Sequence, residues 1–180
     1  MTRHTTRSLF LVVAVLLCAF TARTYAEGEK ASMKPYKHAK GKLEIMMPGT
    51  PKEDSSVEQT AAGPITLWQA SVILTSKAYF VSYSDMPKAT WKGDPKTMLE
   101  GARDGAAGRV KGKVVADREI KLGKWPGREF KVVVDKMELT QRVYLVQHRL
   151  YQVNMGCLSG SCTDAEVQDY LNSFKVVGVK

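Results

Sequence analysis

Apolar and polar residues alternate most densely in the second half of the chain, over residues 120–156. Phe130, Val132 and Val134 alternate with Lys131 and Val133; Tyr144 and Val146 with Val143 and Leu145; Tyr151, Val153 and Met155 with Leu150, Gln152 and Asn154. Successive strand side chains point to opposite faces, so this period predicts four short strands, each with one more apolar face. The pattern breaks at Trp125-Pro126-Gly127, Asp135-Lys136 and Gln147-His148, where turns are expected.

Upstream, Leu43, Ile45 and Met47 alternate with Lys42, Glu44 and Met46, a strand stopped by Pro48-Gly49-Thr50-Pro51. A weak strand is expected at 55–60, a turn at Ala61-Ala62-Gly63-Pro64, and stronger strands at 65–74 and 78–84. Trp68, Tyr79, Phe80 and Tyr83 supply packing surface there.

Two stretches change period. Asp94-Pro95 opens a helix with Met98, Leu99, Ala102 and Ala106 at helical spacing. Gly101, Gly105 and Gly108 weaken it, each by ~1 kcal/mol against Ala, and as small residues are expected to let it lie close to a sheet. Thr163-Asp164-Ala165-Glu166 is a capping box, followed by Val167, Tyr170, Leu171 and Phe174 on one face. Strands with segregated helices predict an α+β fold: a mainly antiparallel sheet of about six to eight strands with two helices packed on it.

The N-terminus follows other rules. Arg3 and Arg7 precede an apolar run from Leu9 to Phe20, and small residues Thr24 and Ala26 follow. This predicts a secretory signal peptide over residues 1–26, cleaved near Ala26, with an uncleaved membrane anchor as the other reading. The run is too short for a transmembrane helix, which needs ~20 apolar residues. Residues 27–40, rich in lysine, read as a flexible basic leader. Residues 41–180 then form a single α+β domain. Export places the mature chain in the periplasm or outside the cell, with no transmembrane span.

Charge and cysteines narrow the chemistry. Lys and Arg number 27 against 18 Asp and Glu, and Arg3, Arg7 and Arg23 leave with the signal. The remaining excess favours anionic polymers or surfaces. Cys18 also leaves, so Cys157 and Cys162 form a lone close pair, for which an oxidising compartment predicts a disulfide; a metal site and free thiols are the other readings.

Several signals carry a resemblance: Met47-Pro48-Gly49-Thr50-Pro51, Arg103-Asp104-Gly105, Pro126-Gly127-Arg128-Glu129-Phe130, Arg142-Val143-Tyr144-Leu145-Val146, Arg149-Leu150-Tyr151 and Leu171-Asn172-Ser173-Phe174. They look like a group of small exported bacterial proteins without assigned function. The element order is similar to the PsbP-like and DcrB-like α/β/α sandwiches. The resemblance spans nearly all of the mature chain, but its motifs fix turns and core, so it carries no catalytic role across. It implies a non-enzymatic envelope protein that binds a partner or stabilises a complex.

Catalytic patterns are sparse. His-Glu-x-x-His is absent, and His38 and His148 read as surface imidazoles. Gly156-Cys157-Leu158-Ser159-Gly160 misses a nucleophile elbow by one position, and Gly112-Lys113-Val114 lacks the P-loop hydroxyl. Glu100 and Asp104 share a helix face and read as solvated carboxylates. No cofactor, metal or nucleic acid is expected. The basic residues Arg109, Lys111, Lys113, Arg118, Lys121 and Lys124 are the candidate anion-binding set, accompanied by Arg103, Arg128 and Trp125. Three functions follow: a non-catalytic binding or complex-stabilising module of the envelope, a binder of anionic ligands or surfaces, and an enzyme whose site is not recognisable from sequence. The first is preferred.

Overall fold

The computed structural model describes residues 32–60 and 63–179. Its strands are β1 (Met33–His38), β2 (Leu43–Pro48), β3 (Lys52–Thr60), β4 (Gly63–Ile73), β5 (Lys77–Asp85), β6 (Lys113–Leu122), β7 (Trp125–Val134), β8 (Met137–Val146), β9 (Arg149–Leu158) and β10 (Lys175–Val176). Helices α1 (Pro95–Val110) and α2 (Asp164–Asn172) complete the order. The signal-peptide segment 1–26 lies outside the described residues.

Seven antiparallel strands form the main sheet, in the order β3-β4-β5-β9-β8-β7-β6; β1, β2 and β10 form a second sheet of three. The expected antiparallel α+β architecture with two helices is present. The alternation sets the register: Tyr83 faces Tyr151, Tyr151 faces Tyr144, and Tyr144 faces Gly127. A Cβ at Gly127 would run into the Tyr144 ring, so the glycine keeps room for it.

Two layers cover one face of the main sheet. β2 buries Leu43, Ile45 and Met47, and α2 buries Val167, Tyr170 and Leu171, against Val81, Tyr151, Val153 and Met155. Phe174 follows α2, stacks its ring on Tyr144 at 5.9 Å and meets the Tyr151 ring at a tilt at 5.6 Å. The capping box forms: Thr163 accepts from the Glu166 amide, and the Glu166 carboxylate accepts from the Thr163 amide. Lys77 and that capping bond pull the Glu166 carboxyl down to about 2. The disulfide Cys157–Cys162 closes the loop between β9 and α2.

On the opposite face α1 packs over β7 and β8, burying Leu99 and Ala107 against Phe130, Val132, Val143 and Leu145. Asp94 caps it through the amides of Lys96 and Thr97. Gly101, Gly105 and Gly108 do not make the close approach expected of them; a Cβ at any of the three would meet nothing within 4 Å. Leu99, Ala102, Ala106 and Ala107 make the contact instead.

Two further expectations need correction. Residues 33–38 are strand β1, paired along its length with β2, rather than part of a flexible leader over 27–40. Tyr36 anchors the strand by donating to Glu53 at 2.6 Å and packing on the core. The first turn of the meander lies at Gly123-Lys124, and Trp125-Pro126-Gly127 belongs to β7. Gly123 takes the positive φ the turn requires, and the Trp125 indole packs on the core.

Denaturant unfolding should separate these contributions. Phe174→Ala should cost ~3–5 kcal/mol, because an enclosed ring leaves a cavity, whereas Lys175→Ala, at an exposed position, should shift the midpoint little. Gly105→Ala should raise stability by ~0.5–1 kcal/mol through helix propensity alone. A destabilising Gly105→Ala would show that this helix face is covered.

Candidate functional site

The candidate anion-binding residues are close in sequence, but an extended strand spreads them out. Lys113 and Lys121 pair with opposite ends of β7, so roughly 25 Å of strand separates them. A β-bulge at Val115 shifts the alternation, so that Lys113 and Lys121 emerge on opposite faces. Lys111 caps α1 in the left-handed conformation. Lys124 lies over the Trp125 ring at 4.9 Å. Arg109 reaches Glu58 at 3.0 Å, tying α1 to β3 although β3 forms the far edge of the sheet. The overhanging β3–β4 hairpin must therefore curl toward the helix.

Arg118 is the one member of the set that enters a cleft. This cleft, about 220 Å³, opens between β6, β7, β8 and the first turns of α2, and is lined by Arg118, Glu129, Lys131, Thr140, Asp164 and Gln168. A small extension of about 20 Å³ reaches the disulfide past Lys131 and Glu138, which are themselves ion-paired. Pockets that enclose a small molecule run to ~300–1,000 Å³.

A buried charge network forms one wall of the cleft. Glu129 Oε1 accepts from Arg118 Nε and Nη2 at 2.9 and 2.7 Å, and Oε2 accepts from Arg142 Nε at 2.6 Å. Arg142 also donates to Asn172 at 2.8 Å and to Gln168 at 2.6 Å. Burial alone would raise the Glu129 carboxyl, but the bonds from Arg142 and Arg118 hold it below the ordinary glutamate value. The network bolts α2 to β7 and β8. Sequence reading missed it because its partners lie far apart in the chain; the only hint is Glu129 and Arg142, each set in an otherwise apolar alternation.

The other candidate groups are also committed. On the α1 side, Asp117 accepts from Arg128 at 2.6 Å and pairs with Arg103. Asp104 pairs with Arg103 and Glu100 with Arg128, so these two carboxylates are held by separate arginines. The two described histidines each stack on a tryptophan, His38 on Trp68 and His148 on Trp91, each at 3.8 Å; His148 is exposed, as a surface imidazole is expected to be, whereas His38 is partly buried. His38 Nδ1 accepts from the Gly41 amide, and burial lowers its pKa. Beside it, Arg149 lies 4.4 Å over the Tyr83 ring and pairs with Asp85. Ser159 and His148 flank opposite ends of β9. Among the described residues, no group of three His, Cys, Asp or Glu side chains is placed to hold a metal, and no buried side-chain polar atom lacks a partner.

Glu129→Ala would leave Arg142 buried without its counter-charge and should cost ~3–5 kcal/mol. Arg118→Ala, at the exposed end, should cost less than ~1 kcal/mol. Because the folded Glu129 pKa is depressed, its contribution is complete above the ordinary glutamate range and is lost as pH falls through the folded value. Urea midpoints measured from neutral to acid pH should therefore fall less steeply in Glu129→Ala than in the wild type. Parallel curves would show that the network contributes no acid-side stability.

No family model matches the chain, and no curated protein matches it. Solved structures do. The solution structure of cyanobacterial PsbP (CyanoP) from Synechocystis sp. PCC 6803 aligns with a TM-score of 0.55 at 12% identity, covering 86% of this chain and 98% of that one. A crystal structure of a Pseudomonas aeruginosa protein of unknown function aligns at a TM-score of 0.37 and 11% identity, over 78% of this chain and 89% of that one, a likeness too remote to specify anything. No helix among the described residues is long and apolar enough to cross a membrane. With the strand order, the two helices and the first of these alignments taken together, the chain has a PsbP-like fold.

Proposed function

We propose that the protein is an exported, non-catalytic binding module of the envelope, which engages a partner or stabilises a complex through the β6 edge of its main sheet. The observation that carries this reading is the distribution of charge. Acid–base catalysis needs a titratable group free to exchange a proton with substrate. Here Glu129, Asp117, Glu100 and Asp104 are each held by arginine. The neutralised framework leaves Lys111 at the end of α1, and Lys113 and Lys121 on opposite faces of the open β6 edge, exposed and without an ion pair among the described residues. Lysines on an edge discourage pairing with another sheet and at the same time present positive charge to a partner. The disulfide and the signal-like N-terminus support export.

The same lysines favour an anionic partner, either a lipid surface or an acidic protein. Arg109 and Arg118 contribute less to such binding, because Glu58 and Glu129 already occupy them.

Cosedimentation with phosphatidylglycerol vesicles and with an envelope protein fraction tests the proposal. Lys111→Glu, Lys113→Glu and Lys121→Glu combined should weaken retention while leaving the thermal midpoint nearly unchanged. Added salt should weaken wild-type retention as the Debye length shrinks from ~10 Å at 0.1 M to ~3 Å at 1 M. Retention indifferent to both would remove the β6 edge from the reading, and turnover abolished by a single carboxylate or histidine substitution would remove the non-catalytic one.

A further inference from the structure

The turns at one end of the main sheet collect exposed apolar side chains. Antiparallel pairing brings the β4–β5 turn, the β7–β8 turn, the loop from β9 into α2 and the connection from α1 to β6 to the same end. Ile73, Leu74, Val110, Val115, Met137 and Leu158 lie in or beside these connections, and they are six of the ten large apolar side chains exposed among the described residues. The other four, Met33, Val57, Trp91 and Val177, are scattered over other elements. Ile73 is 73% and Val115 53% exposed, and apolar surface gathered in this way marks a place that something else covers.

Three of the six belong to one continuous patch. Alternation puts Ile73, Met137 and Leu158 on the α1 side of the sheet, because Ala70, Tyr144 and Cys157 of the same strands face the main core. Across the strands Ile73 pairs with Ala78, Ala78 with Gly156, and Gly156 with Leu139, while Met137 pairs with Leu158 beside them. A Cβ at Gly156 would lie 3.8 Å from both Leu139 and Met137 and 3.9 Å from Ala78, so the glycine forms the floor of the patch. The surrounding loops are tied to one another. The Leu158 amide donates to the Ser76 carbonyl at 2.9 Å, the Ser159 amide to the Lys136 carbonyl at 2.8 Å and the Ser161 hydroxyl to the Ser76 carbonyl at 3.1 Å. The disulfide closes the same loop.

Lysines rim this end. Lys52 begins β3, Lys111 and Lys113 flank Gly112 between α1 and β6, and Lys136 sits in the β7–β8 turn; all four are exposed and lack an ion pair among the described residues. Lys77, at the same end, is taken by Glu166. Asp135 and Asp164 are the exposed carboxylates in these turns without an ion pair among the described residues.

From this arrangement we infer that the loop end of the main sheet docks on an anionic lipid bilayer, with Ile73, Met137 and Leu158 entering the interface and the lysines meeting headgroup phosphates. Lysine is depleted where proteins bind one another, and protein anchors fill matching pockets. Here the apolar side chains are spread across six strands, roughly 25 Å of sheet end. A bilayer surface is that broad, takes apolar side chains without matching their shape, and attracts each lysine when its lipids are anionic. Lysine stems lie along apolar surface while their ammonium groups stay at the headgroups. The inference rests on the anionic-partner reading for Lys111 and Lys113, but it moves the contact from the β6 edge to the end of the sheet.

The experiment is flotation of the exported, disulfide-intact chain with vesicles of phosphatidylcholine and phosphatidylglycerol in equal parts, and with vesicles of phosphatidylcholine alone. The mixed vesicles should carry the wild type, and the neutral ones far less of it. Ile73→Ser and, separately, Leu158→Ser should each weaken binding to the mixed vesicles by about tenfold, the loss of one inserted side chain. Lys136→Gln should weaken it by about fivefold. Val57→Ser, at an exposed apolar position on β3, should leave flotation unchanged, and thermal midpoints should barely move in any of these variants. If Leu158→Ser disturbs the disulfide loop beside it, Met137→Ser takes its place. Flotation indifferent to the apolar substitutions would overturn the inference; if it still fell with Lys111→Glu, Lys113→Glu and Lys121→Glu combined, the β6-edge reading would stand without it. Equal flotation with both kinds of vesicle would also overturn it. So would no flotation at all, or retention by an envelope protein fraction, free of lipid, that needs the same apolar residues.

Discussion

The burial of β2 and α2 against one face of the seven-stranded sheet decides where everything else can go. Leu43, Ile45, Met47, Tyr170, Leu171 and Phe174 are almost fully enclosed there, and each such side chain contributes roughly 1.5–3 kcal/mol on burial. The two covering elements come from opposite ends of the domain, and β10 pairs with β2 immediately after α2. Closing this layer therefore fixes the small sheet, the β9–α2 loop with its disulfide, and the wall of the cleft. The Glu129–Arg142 network then locates α2 laterally, through Gln168 and Asn172.

A consequence is the contrast between the sheet's two sides and its edges. One side is consumed by the core. The other is half covered by α1. Charge is pushed to the edges, where β3 presents Glu53, Asp54 and Glu58 and β6 presents its lysines. Arginines with carboxylate partners do structural work on both faces, and the exposed β6 charges without an ion pair among the described residues are Lys113 and Lys121.

Much of this was legible in the sequence because period-two alternation is a direct consequence of strand geometry. β7, β8 and β9 each carry it for ten residues, and α2 announces itself through Thr163, Glu166 and the stripe from Val167 to Phe174. β1 was illegible because it buries little of its own surface and is a strand only by virtue of β2 beside it. The turn at Gly123 was misplaced because Pro126-Gly127 offers stronger turn chemistry, overridden by packing of Trp125 and Tyr144. The basic residues from Arg109 to Lys124 are close in sequence but not in space, because an extended strand with a bulge separates them. The Arg142 network and the His38–Trp68–Tyr83–Arg149 stack join residues far apart in the chain, which no local pattern can register.

Hydrogen–deuterium exchange of the chain, free and bound to the envelope fraction that retains it, tests the role of the β6 edge most directly. Binding there should slow exchange chiefly in residues 113–122, whose outward amides have no strand partner. Protection that leaves this strand unchanged and falls instead on the segment around Trp91 and His148 would contradict it.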